Sequence, residues 1–250
     1  MQNKVKSAAE IEAMREGGRM LATVLAFMRD RCAPGLTPKE MSAMARNELK
    51  KLGGEPAFLG YHGYPDVICI SVNEQVQHAI PNERPFEAGD VVNFDFGVRY
   101  KGLTTDAGIT VCINDEFSPD TKRLITGTSK ALQAGLQRVH AGCHVGDISA
   151  SIEQVLRKHK LGIVRELVGH GVGYDLHEEP EIPNYGSAGK GPVLKAGMTI
   201  AIEPITTLGD FRIRELSDGW TLETVDKSFS AQFEHTVVVT DKGADILTTL

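Results

Sequence analysis

The chain has 250 residues, a length that fits one large domain or two small ones. Its composition, 41% hydrophobic and 24% charged, is ordinary for a globular protein with a real core. The net charge of −6 leaves no basic footprint, which argues against nucleic acid as a partner. No stretch approaches the length of a membrane span, so we expect no membrane partner.

The cysteines and the first residues indicate a compartment. The four cysteines are widely spaced and form no C-x-x-C pair, which argues against a structural zinc site and a disulfide scaffold. The amino-terminal segment is amphipathic and lacks the apolar core of a signal peptide. We therefore expect reduced thiols in a cytoplasmic protein.

Two helices and three strands are predicted in the first part of the chain. Apolar residues recur at helical spacing over residues 7–31. Thr37–Glu40 is a capping box with proline at the first helical position, and it opens a helix that ends at Gly53-Gly54. Strand-like segments follow at 67–72, 91–100 and 103–113.

The second part repeats this pattern. Helices are predicted over 119–140 and 147–161, and residues 33–43 resemble residues 140–150 at a constant offset of 107. The agreement of breakers, caps and helix lengths favours an internal duplication. We expect a single α+β domain of two pseudo-symmetric halves, about 1–115 and 116–250, with helices packed outside a central antiparallel sheet. A pocket at the junction of the halves would be the natural ligand site.

Two acidic residues lie in a predicted hairpin. Asp95 and Asp106 occupy strands that alternate polar and apolar residues, so each carboxylate shares a face with other polar side chains. If the chain turns around Tyr100 and Lys101, the two acids come out directly opposite each other. Facing carboxylates repel unless a cation or a proton lies between them. An oxygen-rich pair of this kind suits a hard divalent metal.

Three further residues extend this pattern. Glu203 and Glu234 also lie in apolar, strand-like sequence, where an unpaired carboxylate is costly. His170 stands in Gly169–Gly173, where glycines allow the backbone to crowd the imidazole into a site. A phosphate-binding loop is the alternative for this run, but the spacing is wrong for one. Each acid alone has an ordinary structural explanation; together with His170 they match a two-metal site with one nitrogen ligand.

The order and spacing of several motifs resemble the type I methionine aminopeptidases of the pita-bread metallopeptidase family. This resemblance spans nearly the whole chain and implies the pita-bread fold, which agrees with the duplication above. The motifs that carry it are Gly60–Pro65, Ile68–Glu74, His78–Pro81, Gly89–Asp95, Gly169–Gly173, His177-Glu178, Ile182–Tyr185, Gly197–Pro204 and Phe233–Thr236.

The resemblance implies two divalent metal ions, whether cobalt, manganese, iron or zinc, and a water or hydroxide bridging them. Asp106 and Glu234 would bridge the two ions, His170 and Glu203 would complete one, and Asp95 would chelate the other. Glu203 would also accept the proton of the nucleophilic water.

The resemblance also implies the residues that contact the substrate. His78 and His177 would line the site without binding metal, contact the scissile peptide and help stabilise the tetrahedral intermediate. The family's methionine pocket would be formed at Tyr61, Tyr64, Cys69, Leu176, Trp220 and Gln232. An apolar, partly aromatic slot suits a flexible thioether.

The expected activity is removal of the initiator methionine from nascent proteins whose second residue is small. The partner would be a peptide amino terminus, with transient ribosome association but no docking through an added domain, and the enzyme would be a monomer. Ala79, Gly97 and Leu176 depart from the family pattern, which leaves side-chain preference more open than metal dependence. The alternatives are an Xaa-Pro aminopeptidase or dipeptidase and a non-catalytic binding homologue on the same scaffold.

Overall fold

The computed structural model describes residues 4–250, so the first three residues of the amino-terminal segment considered above lie outside the described part. Four α-helices occur in two consecutive pairs. Among the described residues, no helix is long and apolar enough to cross a bilayer. The helices are α1 Ala8–Arg31, α2 Pro38–Leu52, α3 Pro119–Leu136 and α4 Val145–Lys158.

The helix ends follow from local sequence chemistry. Thr37 accepts a hydrogen bond from the backbone N–H of Glu40, whose carboxylate accepts one from the Thr37 N–H in return. Gly53 ends α2 in the left-handed conformation, with φ of 84°. His144 and Asp147 occupy the corresponding positions of α4, 107 residues later, where the Asp147 carboxylate accepts from the His144 N–H.

Fifteen strands accompany the helices in the described residues. In the first part of the chain they are β1 Glu55–Pro56, β2 Cys69–Val72, β3 Gln75–Gln77, β4 Val91–Tyr100 and β5 Leu103–Cys112. In the second part they are β6 Gly162–Ile163, β7 Gly169–Gly171, β8 Glu178–Ile182, β9 Thr199–Ile202, β10 Ile205–Thr207, β11 Ile213–Glu215, β12 Leu222–Thr224, β13 Ser230–Gln232, β14 His235–Thr240 and β15 Gly243–Ile246.

All strand pairings in the described residues are antiparallel, and they form four sheets. In the first sheet β4 pairs with β1, β2 and β5. The largest sheet of the second part has the order β15-β14-β9-β7-β8. Two three-stranded sheets, β13-β10-β6 and β11-β12-β3, complete the set. The β4–β5 hairpin is tied to the second part because Gly108 and Glu234 exchange backbone hydrogen bonds of 3.4 and 2.9 Å.

The register of the β4–β5 hairpin corrects the sequence prediction. Asp95 pairs with Gly108, and Asp106 pairs with Gly97, so the two acids are diagonal neighbours on one face instead of directly opposite. The cause is the turn, which is centred one residue later than predicted. Lys101 and Gly102 form it with φ of 50° and 79°, the positive pair that a two-residue hairpin turn requires.

Other predicted boundaries also shift. The third helix ends at Leu136, four residues before the predicted end, and the fourth runs three residues short of the prediction at its end, at Lys158. Each of the two strands predicted around the glutamates is split in two. One break falls at Glu203-Pro204, where proline has no N–H for the ladder, and the other at Phe233-Glu234.

Each part of the chain has its own apolar core. One cluster runs from Leu21 to Ile113 and joins α1 and α2 to β2, β4 and β5. A second runs from Leu124 to Val239 and joins α3 and α4 to β9 and β14. A smaller cluster bridges the two parts by bringing Met14 against Val238 and Leu247. In each part the helices therefore pack against one side of the strands. The sheet faces that the helices do not cover are available for the site.

The close contact of α1 with the carboxyl-terminal segment gives a stability prediction. A Cβ on Gly18 would lie 2.1 Å from the carbonyl oxygen of Leu247, whereas a Cβ on Gly17 would meet only side-chain atoms, the Cβ of Tyr100 at 3.2 Å and Oγ1 of Thr105 at 3.7 Å. We expect Gly18→Ala to lower the free energy of unfolding by about 1–3 kcal/mol or more, because the backbone must move. Gly17→Ala is the matched control, since the helix gains up to ~1 kcal/mol of propensity there. Urea denaturation measures both, and equal changes would contradict the prediction.

Candidate active site

A cavity of about 340 Å³ lies between the two parts of the chain. Its lining residues come from the β4–β5 hairpin, the 58–78 segment, and loops and strands of the second part, and none of these described residues is Lys or Arg. Twelve residues singled out from the sequence line it: Tyr61, Tyr64, Cys69, His78, Asp95, Asp106, His170, Leu176, His177, Glu203, Trp220 and Glu234. Sequence reasoning did not single out Phe58, His62, Gln77, Glu166, Leu167, Val168 or Ile205, which line it too.

A cluster of possible metal ligands forms one wall of this cavity. One ligating atom from each of Asp106, His170 and Glu234 lies within 4.8 Å of the others, and all three residues are buried. Glu203 adjoins them, with its Oε1 3.4 Å from Nε2 of His170. Asp95 lies on the same face of β4–β5 as Asp106, one cross-strand pair away. The five predicted ligands thus line one cavity although they lie up to 139 positions apart in sequence.

The tautomer of His170 follows from its hydrogen bond. Its Nδ1 lies 2.8 Å from the carbonyl oxygen of Gly171, which can only accept, so Nδ1 carries the proton. The Nε2 lone pair then points toward Glu203, as in a metal-binding imidazole oriented by its second nitrogen. Burial, with a smaller effect of His177, lowers the pKa of His170 to about 3 and keeps the ring neutral.

The four carboxylates lie in an environment that disfavours their charge. Burial is the main reason that the pKa of Asp106 is raised to about 7. Burial first and the neighbouring acids second raise the pKa of Asp95, Glu203 and Glu234 well above their ordinary values. One oxygen of each of three of these acids is buried without a hydrogen-bond partner: Asp95 Oδ1, Asp106 Oδ1 and Glu234 Oε1.

These observations fit a divalent cation. Unpartnered buried carboxylate oxygens cost about 1–3 kcal/mol each, and more when charged. Among the described residues, no lysine or arginine lines the cavity to offset them. Carboxylate oxygens with one neutral imidazole nitrogen are the donor set that manganese, iron, cobalt and zinc accept.

Gln232 differs from its predicted place in the substrate pocket. It is fully buried and is not among the lining residues of the described chain. Its Nε2 donates to Oε2 of Glu234 at 2.9 Å, and its Oε1 accepts from Nδ2 of Asn93 at 2.9 Å. Gly108 leaves the space that the Gln232 side chain occupies, because a Cβ on Gly108 would lie 2.2 Å from that Oε1. Gln232 therefore orients the Glu234 carboxylate without lining the cavity itself. Asn93, which lies two residues before Asp95 on the same strand face, was the sequence signal that could have indicated this position.

Two more histidines border the ligand cluster. The ring of His177 lies 4.3 Å from that of His170, nearly perpendicular to it, and its Nδ1 is 2.8 Å from the hydroxyl of Tyr61. Burial, followed by His78 and His62, lowers the pKa of His177 to about 4, and burial alone lowers the pKa of His78. Both rings are therefore neutral near pH 7 and can donate one hydrogen bond each.

The loop that carries Leu176 and His177 is anchored by a buried ion pair. Lys6 Nζ lies 2.8 Å from Oε2 of Glu178, with both side chains almost fully buried. The other Glu178 oxygen accepts from the backbone N–H of Tyr174 at 2.7 Å. The amino-terminal segment thus holds the loop through a contact that the sequence alone gave no reason to expect.

Apolar and aromatic side chains form the remaining wall. Phe58, Tyr64, Cys69 and Leu176 are buried in one cluster, against which Trp220 packs. Tyr64 meets Trp220 edge to face, with ring centroids 5.1 Å apart. The Tyr64 hydroxyl donates to the carbonyl oxygens of Ile68 and Ala79, so its polar end is satisfied outside the slot. Burial and nearby acids raise the pKa of the Cys69 thiol, which is therefore a neutral wall residue.

Comparison with known proteins agrees with this geometry. Residues 12–241 match the model of metallopeptidase family M24. The chain belongs to this family. It is 41% identical over 243 residues to methionine aminopeptidase 1 of Bacillus subtilis, covering 97% of this chain and 98% of the relative.

Solved structures place the chain among the methionine aminopeptidases of the family. The crystal structure of the Thermotoga maritima methionine aminopeptidase matches with a TM-score of 0.97 and 41% identity over 100% of both chains. That of Rickettsia prowazekii matches with a TM-score of 0.96 and 37% identity, covering 99% of this chain and 100% of the other. The predicted pita-bread α+β fold is confirmed, and this M24 chain is a metallopeptidase hydrolase that uses divalent metal ions.

The buried acids predict a dependence of stability on pH and metal. Because the folded pKa of Asp106, about 7, exceeds its ordinary 3.8, its contribution is full below pH 3.8 and is lost as pH rises through 7. The pKa of His170 is lowered instead, so His170 changes the stability only below its ordinary pKa of 6.5. Chelator-treated protein should therefore have a lower Tm at pH 8 than at pH 6.5, and manganese should raise the Tm more at pH 8.

Asp106→Asn tests the origin of this effect. Without metal at pH 8, the Tm of this variant should exceed that of the parent protein because the substitution removes a buried charge. Each kcal/mol of added stability should raise the Tm by about 2–4 °C. The variant should also respond less to manganese. Asp30→Asn, at an acid with 64% side-chain exposure, is the matched control and should change neither quantity. A metal-free Asp106→Asn protein that melts below the parent would contradict this account.

Proposed function

We propose that the enzyme removes the amino-terminal methionine from nascent proteins whose second residue is small. One observation carries this proposal: a buried cluster of unpartnered carboxylates with a neutral imidazole opens directly onto an apolar, aromatic slot. The slot would take the thioether, while the scissile bond lies at the cluster. Small second residues follow because the volume of the cavity, about 340 Å³, must also hold the methionine side chain.

The proposed metal assignment uses all five predicted ligands. Asp106 and Glu234 would bridge two ions, His170 and Glu203 would complete one, and Asp95 would hold the other. The mutual approach of Asp106, His170 and Glu234 supports the bridging assignment. When bound, such ions act as Lewis acids and lower the pKa of water. Manganese, iron, cobalt and zinc all suit these donors, with availability deciding among them.

The remaining roles belong to residues of the chain itself. Glu203 would accept a proton from the attacking water, because burial and neighbouring acids give it an unusually basic carboxylate. His177 would donate a hydrogen bond to the carbonyl of the scissile peptide, with its other nitrogen held by the Tyr61 hydroxyl. His78, which is half-buried and whose pKa burial lowers, would contact the same peptide.

We further propose that residues 1–250 form a single catalytic domain with halves of about 1–115 and 116–250, and that it acts as a cytoplasmic monomer. Its partner would be the amino terminus of a peptide or nascent chain, met in transient association with the ribosome. The two apolar clusters, one in each half, support the division of the domain.

A cleavage panel tests the proposed activity. Chelator-treated enzyme with manganese or cobalt added back is expected to release methionine from Met-Ala-Ser and to leave Ala-Pro-Ser intact. The same preparation without added metal should be inactive, since the carboxylate cluster then holds no Lewis acid. Cleavage before proline would move the enzyme to the proline-specific branch, and metal binding without any cleavage would favour a binding protein.

His177→Ala separates positioning of the peptide from metal binding. We expect kcat to fall by about 10²–10³-fold, as for loss of one donor to a developing oxyanion. Bound metal, measured by elemental analysis, should stay unchanged because His177 is not an assigned ligand. His140→Ala, at an exposed histidine distant in sequence, is the control and should retain full turnover. Loss of metal in His177→Ala would make His177 a ligand and overturn the assignment.

A further inference from the structure

Gly97 lies in β4 between the two aspartates of the hairpin face, and the structure shows what a side chain at this position would meet. Gly97 is buried in β4, opposite Asp106 and two residues from Asp95 on the same strand face. A side chain at this position would therefore point into the cavity. In this chain the space is filled from the neighbouring segment instead.

Phe58 occupies the space above Gly97. A Cβ on Gly97 would lie 2.6 Å from Cε1 and 2.9 Å from Cδ1 of the Phe58 ring, closer than real Cβ contacts allow. Ala57, whose N–H donates to the Gly97 carbonyl at 2.9 Å, holds the segment against β4. The position of the Phe58 ring thus depends on Gly97, because the ring can approach the strand this closely only where there is no Cβ.

The Phe58 ring also forms part of the apolar slot. It lines the cavity, is 7% exposed, and packs with Tyr64, Cys69 and Leu176. Its movement away from β4 would narrow the slot, and its removal would lengthen or widen it.

We propose that the Gly97–Phe58 contact sets the size of the slot for the substrate's first side chain, and so is a determinant of specificity. This inference rests on the proposed methionine-releasing activity. Because a single methylene in an apolar pocket changes kcat/KM by about 10–200-fold, the contact can be read from substrates whose first side chains differ by one chain atom, the sulfur between norvaline and methionine and a methylene between methionine and ethionine.

The test compares Xaa-Ala-Ser peptides whose first residue is norvaline, methionine or ethionine. Phe58→Ala should raise the ethionine-to-methionine ratio of kcat/KM by about tenfold or more, because it opens the slot. Gly97→Ala should lower the methionine-to-norvaline ratio by a similar factor, because the new Cβ pushes the ring into the slot. In the double variant the ring that the new Cβ would displace is absent and only the close contact with the Cβ of Ala57, at 2.9 Å, remains, so the effect of Gly97→Ala on the methionine-to-norvaline ratio should be lost.

Leu59→Ala is the matched control, since Leu59 is the next residue, is 45% exposed and does not line the cavity. It should leave both ratios at the parent values. Ratios are taken on one preparation, so incomplete metal loading or partial unfolding cancels. Should Gly97→Ala fail to fold, Phe58→Ala decides the question alone.

The possible failures are distinguishable. If the parent enzyme releases no methionine, the proposed function fails. If the parent releases methionine but Phe58→Ala leaves the ethionine ratio unchanged, the inference is overturned while the function stands. The inference is also overturned if Gly97→Ala slows all three substrates equally, because the contact would then act on the strand and not on the slot.

Discussion

The enclosure of four carboxylates in one cavity without a lysine or arginine is the constraint on which this structure depends. Burial alone makes Asp95, Asp106, Glu203 and Glu234 hard to ionise, and their proximity adds repulsion. A fold that tolerates this arrangement must supply its stability elsewhere, here from an apolar core in each half. The same burial makes the site receptive to divalent ions and lowers the pKa of His78, His170 and His177.

Two glycines of the β4–β5 hairpin position the site as much as its functional side chains do. Gly97 and Gly108 lie opposite the two aspartates of the hairpin, and each leaves space for a side chain from another segment. Phe58 fills one of these spaces and faces the slot, whereas Gln232 fills the other and holds Glu234. Metal site and substrate slot are therefore built on the same two strands, so a change in either glycine affects both.

Much of this could be predicted from sequence because the signals are local. The Thr37–Glu40 cap and the polar face of the hairpin follow from side-chain chemistry and strand periodicity. The hairpin register was predicted wrongly because it depends on which residues accept positive φ, and a shift of one turn position moves every pair. The position of Gln232 and the anchoring of the 173–178 loop depend on contacts between distant segments, which no local pattern encodes.

The buried pair that anchors this loop has a consequence for how the protein is made. Lys6 and Glu178 are 172 positions apart, so their contact forms only after most of the chain has been synthesised. Glu234 is made later still, and Thr236 beside it is held by a side chain twelve residues further on. Contacts between residues so far apart in sequence form late, so they do not stabilise a partially synthesised chain. A protease of this design has no complete site until Glu234 and the segment that holds Thr236 have both been synthesised.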